Sequence, residues 1–153
     1  MESLAYSFTL SKLPNGQFIE EPLIFATIDH GREIVPLIVD SGAAKTLIPL
    51  SWAGRLGHDN KHRLVRKDII HGASENRATL PNCFIHTGLM SFLGEDGNET
   101  WTTPKHVELR FTPLVEKFGA GLLGRDILFH ECSGLTFDTE SKYPEDWTFR
   151  ILH

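Results

Sequence analysis

A single aspartate in a turn is the residue of this sequence best suited to chemistry. Asp40 follows the apolar run 34–39 and opens the turn Asp40-Ser41-Gly42-Ala43. Two carboxylates held close together share one proton, because two like charges at that distance cannot both ionise, and such a pair can activate a water molecule. The sequence contains no second Asp-Ser-Gly or Asp-Thr-Gly. A carboxylate pair therefore needs a second copy across a two-fold axis, and we predict a homodimer.

The element that delivers Asp40 is predicted to be the second strand of a hairpin. The runs 23–28 and 34–39 are apolar, and the turn formers at 29–32 join them. Pro36 lies within the second run, and proline cannot donate a hydrogen bond to a strand ladder. We therefore expect Pro36 at a sheet edge or a bulge.

The rest of the chain also shows short strand patterns. An N-terminal hairpin is predicted around the turn at 14–16, and a helix of about two turns is expected after a cap at Ser51. The segment 94–99 is expected to be an exposed loop, and a short helix should follow Gly124. Further strands are predicted at 46–49, 82–90, 106–111, 135–138 and 147–152, and the last two should pair. The sequence thus indicates a mainly β protein with one or two short helices, in one domain spanning 1–153.

Composition excludes several classes of function. Hydrophobic residues make up 41% and charged residues 23% of the chain, which is typical of a folded globular protein rather than a disordered one. The net charge of −5, with scattered Lys and Arg, provides no basic stripe for nucleic acid. The N-terminus lacks a signal-peptide pattern, and no apolar run is long enough to cross a membrane. We expect a cytoplasmic protein with no membrane partner, whose Cys83 and Cys132 are reduced thiols.

A second motif near the C-terminus strengthens the evidence from the first. Asp-Ser-Gly alone is weak evidence, since all three residues favour turns. Later in the chain comes Leu122-Leu123-Gly124-Arg125-Asp126. The two motifs in this order resemble the retropepsin-like aspartic proteases, in which an apolar strand, Asp-Thr/Ser-Gly-Ala, a flap hairpin and an apolar pair before Gly-Arg-Asp/Asn follow one another. The resemblance runs from about residue 22 to about residue 140.

The resemblance implies a retropepsin-like acid protease fold and an aspartic endopeptidase whose site forms between two subunits. One ionised Asp40 would act as general base on the water, and the other, protonated, would donate to the scissile carbonyl. Ser41 would cross-bond the facing loop, and Gly42 would leave room for the substrate backbone. The partners implied are a second copy and a peptide or protein substrate, with no metal and no cofactor.

The same resemblance assigns a flap. The polar segment 71–76 lies between the strand-like runs 63–70 and 77–80, which predicts a hairpin with a tip. Gly72 is similar to the family's flap glycine, which lets the hairpin open and close over an extended substrate. The flap and substrate-binding residues implied are Ile70, His71, Gly72 and Ala73.

The resemblance also gives the second motif a structural role. Leu122 and Leu123 would form a strand behind the catalytic loop, and Gly124 would let that strand turn. In retroviral members the arginine that corresponds to Arg125 pairs with an acid just after Asp-Thr-Gly-Ala. This chain has Ala44 and Lys45 at that place. Arg125 therefore needs another acid or a different role. The long tail after residue 135 is expected to help build the dimer sheet.

Several alternatives remain open at this point. The alternative function is that of a catalytically inactive relative, which keeps the fold for dimerisation or peptide binding. Arg125 and Asp126 could form a structural salt bridge or start a helix, with Asp126 as N-cap. Neither the histidines nor the cysteines match a known metal or nucleophile motif. We therefore expect His58, His62 and His86 to be surface residues.

Overall fold

The structure is a computed structural model that describes residues 2–12, 15–59, 66–70 and 82–153. Strands account for most of the regular structure in these ranges, together with one α-helix, α1 (Arg125–Leu128), and 3-10 turns at Leu50–Trp52, Pro113–Phe118 and Pro144–Asp146. The strands are β1 (Ser3–Ser7), β2 (Thr9–Lys12), β3 (Phe18–Glu21), β4 (Leu23–Ile28), β5 (Val35–Val39), β6 (Leu47–Pro49), β7 (Arg66–Asp68), β8 (Cys83–Gly88), β9 (Met90–Leu93), β10 (Glu99–Thr102), β11 (Val107–Thr112), β12 (Gly121–Leu123), β13 (Gly134–Asp138) and β14 (Thr148–Leu152). The prediction of a mainly β chain with short helices is confirmed.

The largest sheet in the described part of the chain brings the two sequence motifs together. Its strand order is β10-β9-β4-β5-β12-β6-β11-β8-β7. Strand β12 lies parallel to β5, with Leu123 opposite Val39, and antiparallel to β6, with Leu122 opposite Leu47. Because β12 is inserted between two strands close to each other in sequence, the end of β12 lies beside the loop that leaves β5.

Two smaller sheets surround this one. Strands β1, β14 and β13 form a three-stranded sheet with β14 in the centre, and β2 and β3 form a separate hairpin. Alternate residues of the three-stranded sheet face the core, including Leu4, Phe149 and Ile151. The Tyr6 hydroxyl donates a 3.0 Å hydrogen bond to Leu93 O, which ties this sheet to the large one.

The predicted hairpins and pairings are largely confirmed. Strands β2 and β3, which flank the predicted N-terminal turn, are antiparallel partners, and β13 pairs with β14 as expected. Strands β4 and β5 are antiparallel partners. Between them Asp29 and His30 both have positive φ, 51° and 56°, as a tight hairpin turn requires at its two central positions.

Three local predictions were wrong. Pro36 lies in a central strand rather than at an edge or bulge, but the ladder with β12 begins only at Leu37, so the proline lies beyond the end of that ladder. The expected helix after Ser51 is a single 3-10 turn, because the Ser51 hydroxyl and N–H donate to Glu116 instead of capping a helix. The run 82–90 divides into β8 and β9 instead of forming one strand. The segment 94–99 is an exposed loop as predicted, although its last residue begins β10, a strand that the sequence did not indicate.

Candidate active site

The carboxylate of Asp40 is presented on a turn at the end of β5. The Asp40 N–H donates to Leu123 O of β12 at 3.0 Å, and the Ala43 N–H donates back to Asp40 O at 3.1 Å. The Gly42 N–H donates to Asp40 Oδ1 at 2.9 Å. A Cβ at Gly42 would lie 3.1 Å from the same oxygen, so glycine keeps the carboxylate uncrowded. Asp40 is half-buried and Ser41 is exposed, which leaves both side chains open to a partner.

The second motif supports this turn from behind. The Arg125 N–H donates to Ala43 O at 2.9 Å. A Cβ on Gly124 would lie 2.5 Å from Lys45 C and 2.6 Å from Lys45 O, both in the backbone. Real Cβ atoms do not approach backbone this closely, so only glycine allows the two segments to touch. The structure therefore brings Gly124 and Arg125 against the Asp40 turn.

Thr46 joins the two segments through its side chain. Its hydroxyl accepts a hydrogen bond from the Gly124 N–H at 3.0 Å and donates one to Asp126 Oδ1 at 2.8 Å. Thr46 is fully buried, and its bond with the Gly124 N–H satisfies a buried donor, whereas Asp126 is partly exposed. The reading of Asp126 as helix N-cap was wrong: Gly124 is the N-cap of α1, and Asp126 lies in its first turn.

The arginine that faces Asp126 is Arg110, not Arg125. Arg110 Nη2 lies 2.5 Å from Glu108 Oε2, and its Nη1 and Nε lie 3.9 Å from Asp126 Oδ2 and Asp68 Oδ2. Because Arg110 is only 4% exposed, these carboxylates are the counter-charges that its burial requires. Among the described residues the exposed Arg125 guanidinium makes no ion pair. Of Arg110 and Arg125, the arginine that lies near acidic residues in this structure is therefore the buried Arg110 of β11.

The carboxylate of Glu108 connects Arg110 to the strand that leads towards the predicted flap. Arg66 of β7 hydrogen-bonds to Glu108 Oε1. This bond, followed by the charge of Arg110, holds the pKa of Glu108 below its usual value, although partial burial opposes the shift. The ionised Glu108 therefore links the two arginines.

Asn82 closes the base of the segment predicted to be the flap. The Ile70 N–H donates to Asn82 Oδ1 at 2.7 Å, and Asn82 Nδ2 donates to Ile70 O at 3.1 Å. The amide side chain thereby takes the place of a paired strand residue beside β7 and β8. Ile70 is half-buried in this clamp. The other predicted flap residues, His71, Gly72 and Ala73, lie outside the described residues.

Two histidines expected at the surface are buried, so that expectation was wrong. His58 and His86 have 2% and 7% exposure. His58 Nε2 lies 2.8 Å from Asp29 Oδ2, and His58 Nδ1 lies 3.1 Å from His86 Nδ1. His62 lies outside the described residues. Within the ranges that the structure describes, no three His, Cys, Asp or Glu residues are grouped so that they could hold a metal ion.

Sequence reasoning missed Thr46, Asn82 and Arg110. The one available signal was at Arg110, a charged residue between Leu109 and Phe111 in an otherwise apolar strand. Such a residue must find carboxylates inside the protein, but the sequence does not say which ones.

The strand order, and the contact between the segment that follows β12 and the Asp40 turn, define a retropepsin-like aspartic protease fold. Among solved structures the chain is similar to a retropepsin-like aspartic protease from Rickettsia conorii, with 16% sequence identity and a TM-score of 0.54. The match covers 99% of this chain and 94% of that one. No protein-family model matches the sequence, and a search of curated proteins found no match. In the described ranges no helix has the length and apolar character needed to span a membrane.

Proposed function

We propose that the protein is an aspartic endopeptidase whose active site contains Asp40 from each of two identical subunits. The observation that carries the proposal is the Asp40 turn itself. Its carboxylate is half-exposed, and its backbone is fixed by hydrogen bonds to Leu123 and from Arg125. A rigid backbone with an accessible carboxylate is what a shared two-carboxylate site needs from each subunit. The likeness in fold to a retropepsin-like protease supports the same function.

The proposed reaction is the hydrolysis of a peptide bond without a covalent intermediate. The ionised Asp40 removes a proton from the bound water while the water oxygen attacks the carbonyl carbon. The protonated Asp40 of the other subunit donates its proton to the carbonyl oxygen. The tetrahedral diol then collapses. The carboxylate that gave its proton to the carbonyl oxygen takes a proton back from a diol hydroxyl as the C=O bond re-forms. The C–N bond breaks, and the amide nitrogen leaves with the proton that the other carboxylate took from water. No metal or cofactor enters this scheme.

Other residues of the turn have supporting roles in the proposal. The exposed Ser41 hydroxyl makes no hydrogen bond within the described part of the chain, so it is free to bond to the facing loop. Gly42, also exposed, leaves space for an extended substrate. The hairpin that begins at β7 and returns at β8 would cover that substrate, with Ile70, His71, Gly72 and Ala73 near its chain.

The test is cleavage of a mixed peptide library, read by mass spectrometry from about pH 3 to pH 8, the range in which a carboxylate pair should hold one proton. Asp40→Asn is prepared alongside, with Asp96→Asn as a matched control because Asp96 is an exposed aspartate in the loop between β9 and β10. We expect wild type and Asp96→Asn to cut and Asp40→Asn to be inactive although folded and dimeric. Cutting by all three proteins would show that Asp40 is not the catalyst. A dimeric wild type that cuts nothing would favour a silent, peptide-binding relative.

A further inference from the structure

We propose that one face of the β2–β3 hairpin docks against the same face of a second copy of this chain. The face, called the arm face below, consists of Leu10, Lys12, Phe18 and Glu20. The inference rests on the proposed function, since a shared Asp40 site is incomplete without a second copy. It adds the surface that holds the two copies together.

The hairpin is a separate two-stranded sheet beside the larger ones. Strands β2 and β3 pair only with each other among the described residues. The four other residues of the two strands, on the opposite face, are half-buried: Thr9, Ser11, Ile19 and Glu21. An isolated two-stranded hairpin is marginally stable in water, so its outer face gains from a second partner.

The arm face exposes apolar side chains to solvent. Leu10 is 60% and Phe18 is 59% exposed. In the register of the hairpin Leu10 lies opposite Glu20 and Lys12 opposite Phe18. The two apolar residues therefore lie on one diagonal of the face and the two charged residues on the other. Lys12 Nζ is 5.8 Å from the centre of the Phe18 ring.

This diagonal arrangement is self-complementary. A two-fold axis along the Leu10–Phe18 diagonal places the apolar residues of the two copies on one another. The same axis places Lys12 over the partner's Glu20 and Glu20 over the partner's Lys12. Each opposite-charge contact then occurs twice, as an isologous interface requires. The charges of the face thus select a second copy of this chain rather than a purely acidic or purely basic partner.

The hairpin also begins beside the candidate active site. Pro22, the residue after β3, accepts a 2.8 Å hydrogen bond from the Val39 N–H, one residue before Asp40. In the proposed dimer Asp40 lies next to the two-fold axis. A strand of four residues extends roughly 13 Å. The arm face therefore lies within about that distance of the residue that is hydrogen-bonded next to Asp40.

The experiment is a charge-swap mixing test by sedimentation velocity on the full chain. Lys12→Glu makes the arm face wholly acidic, and Glu20→Lys makes it wholly basic. Each variant alone replaces two attractive contacts by repulsive ones, so we expect dimer affinity to fall at least roughly tenfold. An equimolar mixture of the two should form heterodimers with an affinity within about threefold of wild type, since every contact in the mixture again joins opposite charges.

The mixture distinguishes a lost contact between two copies from a hairpin that no longer folds. A variant that merely weakens its own fold cannot be rescued by a second weakened protein. Lys117→Glu and Glu33→Lys, exposed residues outside both the hairpin and the C-terminal tail, give the same charge changes and should leave dimer affinity unchanged alone and mixed.

Three results would overturn the proposal. Single variants that dimerise like wild type would show that the arm face is not in the interface. A mixture as weak as its components would show that Lys12 and Glu20 do not meet across it. Unchanged dimers with a raised KM for peptides would assign the face to substrate instead. In each case a dimeric, active wild type leaves the shared Asp40 site standing, whereas a monomeric but active wild type would contradict the shared site itself.

Discussion

Thr46 donates a 2.8 Å hydrogen bond from its hydroxyl to Oδ1 of Asp126, a residue 80 positions later in the sequence. The same hydroxyl accepts from the Gly124 N–H. One buried side chain thus joins the segment that follows the Asp40 turn to the start of α1. The stability of the Asp40 turn is therefore expected to depend on the buried hydroxyl of Thr46.

Replacing this hydroxyl tests its contribution. Thr46→Val keeps the shape of the side chain but leaves the Gly124 N–H and the Asp126 carboxylate each without one partner. We expect a loss of about 2–4 kcal/mol in the free energy of unfolding, measured in urea, and a lower rate of peptide cleavage. Thr46→Ser retains the hydroxyl and should lose only about 1 kcal/mol, for the missing methyl group. Equal losses in both variants would mean that packing, not hydrogen bonding, is what Thr46 supplies.

The close approach at Gly124 gives a second prediction. In Gly124→Ala the new methyl group would lie 2.5 Å from Lys45 C, so the two segments must move apart. We expect a loss of about 2–3 kcal/mol in unfolding free energy and a marked loss of activity. Gly54→Ala is the matched control, because no atom lies within 4 Å of its added Cβ. If the two variants were equally stable, the contact would not be as tight as the structure shows.

The buried histidine gives a third prediction. His58→Ala removes a ring that bonds to Asp29 and stacks on Phe111 at 5.8 Å. A loss of about 3 kcal/mol in unfolding free energy is expected from the cavity and the unpaired groups. His106→Ala, at an exposed position, should change stability by less than about 0.5 kcal/mol. If both variants lost equally little unfolding free energy, His58 would be a surface residue, as its sequence context indicated.

A fourth prediction concerns alkaline pH. Burial, with a smaller effect of Glu131, raises the pKa of the Cys132 thiol from 9.0 to about 12. Between these values the unfolded chain loses a proton that the native protein keeps, so stability is full below pH 9 and falls as pH rises towards 12. In Cys132→Ala this fall should be shallower. It should not vanish, because burial also raises the pKa of the Tyr6 hydroxyl.

Urea unfolding at intervals from about pH 8 to pH 11, below and across the pKa window of the thiol, measures the slope. The slope is the quantity to compare, since the substitution also removes packing at every pH. Parallel curves for wild type and Cys132→Ala would show that the thiol does not retain its proton in the native state.

Most of the strands could be predicted because each is a local pattern, but β10 and the division between β8 and β9 could not. The hairpin turn at 29–32 and the pairing of β13 with β14 follow from runs of apolar residues and turn formers. The absence of the helix predicted after Ser51 could not be foreseen, because the Ser51 hydroxyl donates instead to Glu116, 65 positions away. A distant residue decided the local structure.

The candidate site divides in the same way. Asp40 and the motif from Leu122 to Asp126 were visible because they are contiguous in the sequence. The groups that contact Asp126 are distant from it in sequence: Thr46 immediately precedes β6, and Arg110 lies in β11. They come together with Asp126 only in the folded sheet. The burial of His58 beside His86 likewise depends on strands that meet in three dimensions.

The most direct test of the shared site is a mixing experiment with Asp40→Asn. Wild type and the inactive variant are mixed at constant total concentration, exchanged to equilibrium, and assayed for peptide cleavage. If each site needs Asp40 from both subunits, only wild-type homodimers act, and activity falls as the square of the wild-type fraction. A linear fall, with dimers of mixed composition demonstrated in the same samples, would mean that one chain carries a complete site and would contradict the account.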